Sequence, residues 1–595
     1  MGKGRMLQSS RRDALSCIWI IVLVAMAYGL ALRNGYVWDD RYFLTDYAWI
    51  GSYGDALRSS LLPLFNQGSY FRPLPLFSLY AEAIASDRNP AVAHGVALAW
   101  HAAAAILVYL LARRAVLAMQ PQGAATARWL PLLLASVFAV HPALTEAVLW
   151  ISARFDLMAS VAMLLALWIA GRPWRDWTRA VALAACFFLG ALCKESVVVL
   201  PAAIAAQTML LGAAARPEGK VALADAFSAR EWKAYGLMFL AGVAYLLLRA
   251  QAMDGYPPNR IDQSLEHRAA LWATATTKYL QLTFLPFAGN ALQHGFEWQG
   301  PGGLRAHLPA LGTAVVACLA IALLAWRRQP AGWVLLTWLA AYLPVLHLVP
   351  LPVGETVIHQ RFMYFPTALL LALLPYVLLR LRPSAAAVRA SWALGVALVL
   401  ASLLVVRSVV PMWQNDLVLW RWAVEKDRSS QLARENLIHA YALYGMTEQA
   451  SQELLDIARN RGSTSARVPL NMGAAYYARG EYETAMYYFD IAYRNIDTLM
   501  PQDGAKLLTS MALTAALLGD KDAAPKLIMQ ALPADPRNYT AHGYFEAFCG
   551  HAPTLDVAPT AEEQRRAAET AVRAEQLLRG EQPELQAQRA FCPTP

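Results

Sequence analysis

Ala14-Leu15-Ser16-Cys17-Ile18-Trp19-Ile20-Ile21-Val22-Leu23-Val24-Ala25-Met26-Ala27-Tyr28-Gly29-Leu30-Ala31-Leu32 runs directly into Arg33-Asn34-Gly35-Tyr36-Val37-Trp38-Asp39-Asp40-Arg41-Tyr42-Phe43. The fold turns on this stretch. As a helix, the first part is long and apolar enough to cross a bilayer core. The second part sets two adjacent carboxylates at the mouth of that span. Charge is costly there unless it coordinates something, accepts a proton or is solvated. A solvated loop with aromatic-belt residues fits this pattern, and so does a functional site. Lys3, Arg5, Arg11 and Arg12 precede the run and no small-residue cleavage site follows, so it reads as an uncleaved first span.

The same signal recurs along the chain. Further apolar stretches lie near 91–112, 129–143, 147–170, 179–193, 196–213, 234–250, 307–326, 331–350, 362–380 and 390–410. With the first, they predict an all-α polytopic bundle of about eleven spans. The 595 residues are 57% hydrophobic and 16% charged, against roughly 45–50% and 25% in soluble domains. The apolar excess ends near residue 410, which predicts a membrane domain over 1–412 and a soluble domain over 413–595. The net charge of +9 does not point to nucleic acid, because no basic run carries interleaved aromatics. The cations cluster instead in alternate connections, at Arg113, Arg114 and Arg128, then Arg172, Arg175 and Arg179, then Arg216, Lys220, Arg230 and Lys233. Arg327 and Arg328 follow, and later Arg380, Arg382 and Arg389. The positive-inside rule then sets the N-terminus in the cytoplasm, with the soluble tail and Asp39-Asp40 outside. Outside loops over 34–89 and 251–306 are long enough for structure. Their segments around Tyr70–Tyr80 and Leu271–Leu285 read as interfacial helices.

The tail carries an internal repeat. Gly473, Tyr476, Gly480, Ala485, Phe489 and Ala492 fall at tetratricopeptide offsets. Weaker units precede them at Leu437, Tyr441, Gly445 and Ala450, and follow at Ala512, Gly519, Ala524, Ala531 and Pro536. An α-solenoid of this kind binds a partner on its concave face or serves as a packing scaffold. Cys549 and Cys592 in the tail are either bonded to each other or free. The other four cysteines make no metal-ligand spacing.

Polar turns gather where spans meet the outer side. His141 and Glu146 lie in one, with Arg154 and Asp156 just beyond. Lys194-Glu195-Ser196 makes another, and Glu355, His359, Gln360 and Arg361 a third. Each alone reads as a snorkelling cation, a cap or an ion pair. Together they suggest a carboxylate base acting on a hydroxyl, with Arg and Lys holding a phosphate. No nucleotide-binding loop is present, so that phosphate is most naturally a lipid's.

In order along the chain, Val37-Trp38-Asp39-Asp40, Phe71-Arg72-Pro73-Leu74, Phe138-Ala139-Val140-His141-Pro142 with Thr145-Glu146-Ala147-Val148, Lys194-Glu195-Ser196 and Arg361-Phe362-Met363-Tyr364-Phe365-Pro366 resemble the GT-C class of membrane glycosyltransferases. The likeness is to the O-mannosyltransferases that carry tetratricopeptide repeats. The resemblance implies a polyprenyl-phosphate sugar donor and a protein acceptor recruited by the repeats. It also implies direct, inverting transfer at the outer face of a membrane. Asp39 or Asp40 would be the base, and Arg154, Lys194 and Arg361 would bind the donor phosphate. His141, Glu146, His359 and Arg72 would contact substrate, and the Asp pair could hold a divalent metal. The Val357-Ile358-His359-Gln360 segment before Arg361 departs from the eukaryotic pattern of an acidic residue, so mannose is not assumed. The Ala-, Leu- and Arg-rich composition looks bacterial, which makes the membrane the inner one and the outer side the periplasm. Transfer to a lipid or surface glycan is the alternative. A non-enzymatic scaffold or transporter is the other, although no inverted repeat is evident.

Overall fold

A computed structural model describes residues 2–46, 50–64, 70–119, 128–253, 264–287, 293–295, 304–348, 356–381, 384–428, 430–461, 466–499, 501–520, 522–533, 539–549 and 567–568. The chain divides into two compact units, Met1–Ser430 and Gln431–Pro595. The division falls beyond the expected 412 because the helix after the last span is tied into the first unit, as described below.

The first unit is an all-α membrane bundle. Among its helices are α1 (Gly2–Tyr28), α2 (Pro73–Ala85), α3 (Pro90–Met119), α4 (Leu130–Ala139), α5 (Thr145–Leu149), α6 (Arg154–Ala170), α7 (Asp176–Ala191) and α8 (Leu200–Ala215). Then come α9 (Ala229–Ala252), α10 (Leu265–Phe284), α11 (Leu304–Trp326), α12 (Pro330–Ala340), α13 (Tyr364–Leu373), α14 (Ala385–Val409) and α15 (Asp416–Lys426). Among the described residues, eight helices are long and apolar enough to cross a membrane, and nine if the bent pair Leu130–Ala139 and Pro142–Leu149 is one span. The expected eleven therefore include one bent span and two short ones, α7 and α12, whose apolar runs stop before a full crossing.

Small residues let α3 sit at the centre, packed against α1, α4, α6 and α13. Ala97, Ala104, Ala105 and Ala112 are fully buried on it, which allows close backbone approach. Burial then grades outward. The apolar window of the Ile151–Ala170 helix is 83% buried, whereas those of α9 and α11 are 17%. Phe239, Leu247, Val316 and Leu404 point outward on the peripheral helices, as lipid-facing residues do. Inside the bundle His101 joins two helices. Its Nε2 donates to the Ala139 carbonyl at the α4 break (3.0 Å), and its Nδ1 accepts from the Tyr364 hydroxyl (2.7 Å). That bond satisfies a carbonyl freed where the helix ends.

Two sequence readings acquire detail here. The Leu271–Leu285 segment falls in α10, a helix packed along α11. The Tyr70–Tyr80 segment forms α2, begun by Pro73 at a position that tolerates proline. A short antiparallel pairing, β1 (Gln293–Gly295) with β2 (Thr356–His359), was not anticipated. Glu355 lies outside the described residues.

The second unit is built from helix pairs. These are α16 (Gln431–Leu443) with α17 (Thr447–Arg461), α18 (Arg467–Ala478) with α19 (Tyr482–Tyr493) and α20 (Pro501–Leu517) with α21 (Ala523–Ala531), followed by α22 (Tyr539–Cys549). Each pair turns at a glycine in the left-handed region, Gly445 (φ 71°), Gly480 (φ 76°) and Gly519 (φ 86°). The next residue's N–H closes each turn on a carbonyl five residues back: Met446 to Tyr441, Glu481 to Tyr476, Asp520 to Ala515. Gly473 faces Phe489, where an added Cβ would lie 2.4 Å from the ring. Cys549 is disulfide-bonded, and Cys592 lies outside the described residues.

Candidate functional site

The chain leaves α1 through Asn34 and Gly35, both bonded to the segment after α14. Asn34 Nδ2 donates to the Val410 carbonyl (3.0 Å) and Gly35 N–H to the Gln414 carbonyl (2.9 Å). Trp38 then takes φ 54°, ψ −125°. A bulky residue there is strained by about 1–3 kcal/mol and needs its surroundings to hold it. Asp416, at the start of α15, accepts the Trp38 N–H (2.7 Å) and pairs with Arg41 (2.7 Å). The Trp38 ring stacks on Trp150 (4.4 Å, 11°) and meets Trp420 edge-on (5.2 Å). This turn starts the Asp39–Arg41 helical turn and drives Asp40 inward.

Asp40 is fully buried. Its Oδ1 accepts the Ser152 N–H (2.7 Å) and the Ser152 hydroxyl (2.5 Å), and its Oδ2 accepts a long bond from Val37 N–H (3.3 Å). Burial pushes its carboxyl up to about 7, against the Ser152 and Val37 bonds that favour the charged form, and Asp39 adds like charge. Asp39 is half-buried beside it.

The next groups lie along 146–156. Glu146 is buried and accepts from Arg361 twice, from the backbone N–H (3.2 Å) and from Nη1 (2.5 Å). Arg361 Nη1 also donates to His359 Nδ1 (3.0 Å), so that nitrogen acts as an acceptor in this arrangement. The β1–β2 pairing sets His359 opposite Gln293. The Arg361 guanidinium lies 4.8 Å from the Trp150 ring centre and 4.9 Å from that of Phe362. Lys194 covers the same Phe362 ring at 4.4 Å and pairs with Asp156. Burial pulls the Lys194 ammonium down to about 8; Asp156 opposes this, and Arg72 and Arg361 add to it. Arg72 donates through Nε (3.2 Å) and Nη2 (2.9 Å) to Glu195, its guanidinium near Tyr70 and Phe155.

Lys194, Arg361, Glu146 and His359 are thus joined through Phe362 and Trp150, Asp40 is held next to them by Ser152 and the Trp38–Trp150 stack, and Arg72 is held separately by Glu195. Two expected residues stand apart. Arg154 is fully buried, bonded to Glu82 (2.5 Å) and the Ala93 carbonyl (2.7 Å), so it pins α2 to α3. His141 is buried, and its Nδ1 has no hydrogen-bond partner among the described residues. No group of three or more His, Cys, Asp or Glu among those residues is placed to hold a metal; both Asp40 oxygens already accept donors. Sequence reasoning did not find Ser152, whose backbone N–H does half the work. It also missed Asp416, which lies far along the chain from Trp38.

The fold and site together define a multi-pass helical membrane protein with an ion-pair network and a buried carboxylate at one end of its bundle. Protein O-mannosyl-transferase Tmtc1 of Drosophila melanogaster is 29% identical to this chain over 198 residues, which is 32% of this chain and 22% of that protein. No family model and no solved structure matches.

Proposed function

We propose that this chain is a GT-C glycosyltransferase that moves a sugar from a polyprenyl-phosphate donor to a protein hydroxyl outside the cytoplasm. The observation that carries the reading is Asp40, a buried carboxylate tuned to about 7 at one end of a line of cations. A base of that strength is suited to working near neutral pH. The acceptor oxygen attacks the anomeric carbon, its proton passes to Asp40, and the bond to the donor phosphate breaks with inversion. Oδ1 is saturated by Ser152, so Oδ2, with its one long bond, takes the proton. Asp40 is uncovered by movement of the strained Trp38 turn. Asp39 orients the acceptor.

Lys194 and Arg361 receive the phosphate, Arg361 as a fork and Lys194 as a point charge. Glu146 and His359 hold Arg361 in place. Arg72 with Glu195 closes the far side. Arg154 serves as a structural pin. The name of the relative, a protein O-mannosyl-transferase, supports a protein acceptor. The helix pairs after residue 430 are read as tetratricopeptide repeats, periplasmic in a bacterial inner-membrane protein, that recruit this acceptor. Asp40→Asn tests the reading in purified enzyme with lipid-linked sugar and acceptor. Transfer falls by about 10²–10⁴-fold with folding intact. Full activity would remove Asp40 as the base.

A further inference from the structure

At the end of the bundle opposite Asp40, the chain makes a different arrangement around the C-terminus of α6. The last carbonyls of a helix have no partner within it, and here arginines serve them. Arg114 Nη1 donates to the Trp168 carbonyl (3.1 Å), and Arg179 Nε to that of Ala170 (2.7 Å). Arg230 Nη2 donates to the carbonyls of Arg172 (2.8 Å) and Trp174 (3.2 Å). Gly171 admits this packing, since a Cβ there would sit 1.8 Å from the Arg114 guanidinium carbon.

The charges do not balance. Arg114, Arg172, Arg175, Arg179, Arg230 and Lys233 gather around two paired carboxylates. Glu231 holds Arg179 (2.9 Å), and Asp176 holds Lys233 (3.0 Å) and approaches Arg230 (3.6 Å). A helix C-terminus supplies only about half a negative charge. Arg179 is fully buried, yet its Nη1 has no hydrogen-bond partner among the described residues. Trp174, Trp177 and Trp232 are 41%, 61% and 57% exposed around the cluster. Exposed tryptophans beside cations mark the depth of lipid headgroups.

We propose that this arginine cluster binds the phosphate of one anionic phospholipid, with the exposed Arg172 and the partly exposed Arg230 as its ligands and the buried Arg179 adding positive charge behind them. The test is native mass spectrometry of the full chain released from micelles doped with phosphatidylglycerol or phosphatidylcholine. Wild type retains one phosphatidylglycerol in preference to phosphatidylcholine. R172Q/R230Q weakens retention about 25-fold, at roughly fivefold per arginine. R327Q/R328Q, in a separate basic turn, leaves it unchanged. Equal retention of the two lipids by wild type, or equal loss in both double variants, would overturn the proposal. Should R172Q/R230Q fail to fold, R172Q at the exposed position decides in its place. A fivefold loss supports the site, and unchanged retention overturns it.

Discussion

The two ends of the bundle handle buried charge in opposite ways. At the Asp40 end the three cations read as site residues are each matched, with Arg72 on Glu195, Lys194 on Asp156 and Arg361 on Glu146. The unmatched group there is a carboxylate, Asp40, kept close to neutral by burial. At the other end six cations meet two carboxylates. Matched pairs hold side chains in fixed positions before a ligand arrives, at a desolvation cost that the pairing only partly offsets. An unmatched cluster is complete only with an anion from outside. The comparison separates a preorganised site from a receiving one.

Neutralising one carboxylate at each end tests this difference. Glu146→Gln leaves Arg361 without its counter-charge and is expected to destabilise the fold by about 3–4 kcal/mol, whichever phospholipid is present. Thermal or denaturant unfolding in defined bilayers reads this. Glu231→Gln is expected to cost about 3 kcal/mol in phosphatidylcholine and clearly less in phosphatidylglycerol, where lipid phosphate replaces the lost charge. A Glu231→Gln cost independent of lipid would erase the distinction between the ends.

Much of this was legible in the sequence, for identifiable reasons. Bilayer thickness demands long apolar runs, so the spans announce themselves, although α4 and α12 stop well short of the stretches expected at 129–143 and 331–350. The glycines at 445, 480 and 519 announce the helix pairs, because a left-handed turn residue is hard to replace. Asp39-Asp40 stood out because two carboxylates beside a span are costly. The partners of these groups were not legible. Ser152 acts partly through its backbone N–H, which every residue but proline has. Asp416 meets Trp38 only after the chain has crossed the membrane many times. Arg154 has the composition of a phosphate ligand, yet Glu82 and the Ala93 carbonyl enclose it.

Smaller effects sharpen the comparison. Asp416→Ala removes the acceptor of the Trp38 N–H and the partner of Arg41. It is expected to cost about 2 kcal/mol and to lower transfer, because the turn no longer returns Asp40 to its place beside Ser152. Unchanged transfer would free Asp40 from dependence on that turn. Gly480→Ala, at φ 76°, is expected to destabilise the second unit by about 1 kcal/mol without altering the Asp40 end, as hydrogen exchange would report.

The Asp40 carboxyl, raised from 3.8 to about 7, also carries a stability signature. The folded state holds its proton longer than the unfolded chain, so this group's contribution declines as pH rises from about 4 to about 7. Its catalytic signature has the opposite sense, since the base works only when deprotonated. The most direct measurement is therefore the pH dependence of the single-turnover transfer rate. The rate should rise about tenfold per pH unit below 7, level off, and fall again above about 8 as Lys194 loses its charge. A rate flat from about pH 5 to 8, in an enzyme that stays folded throughout, would contradict Asp40 as the proton acceptor.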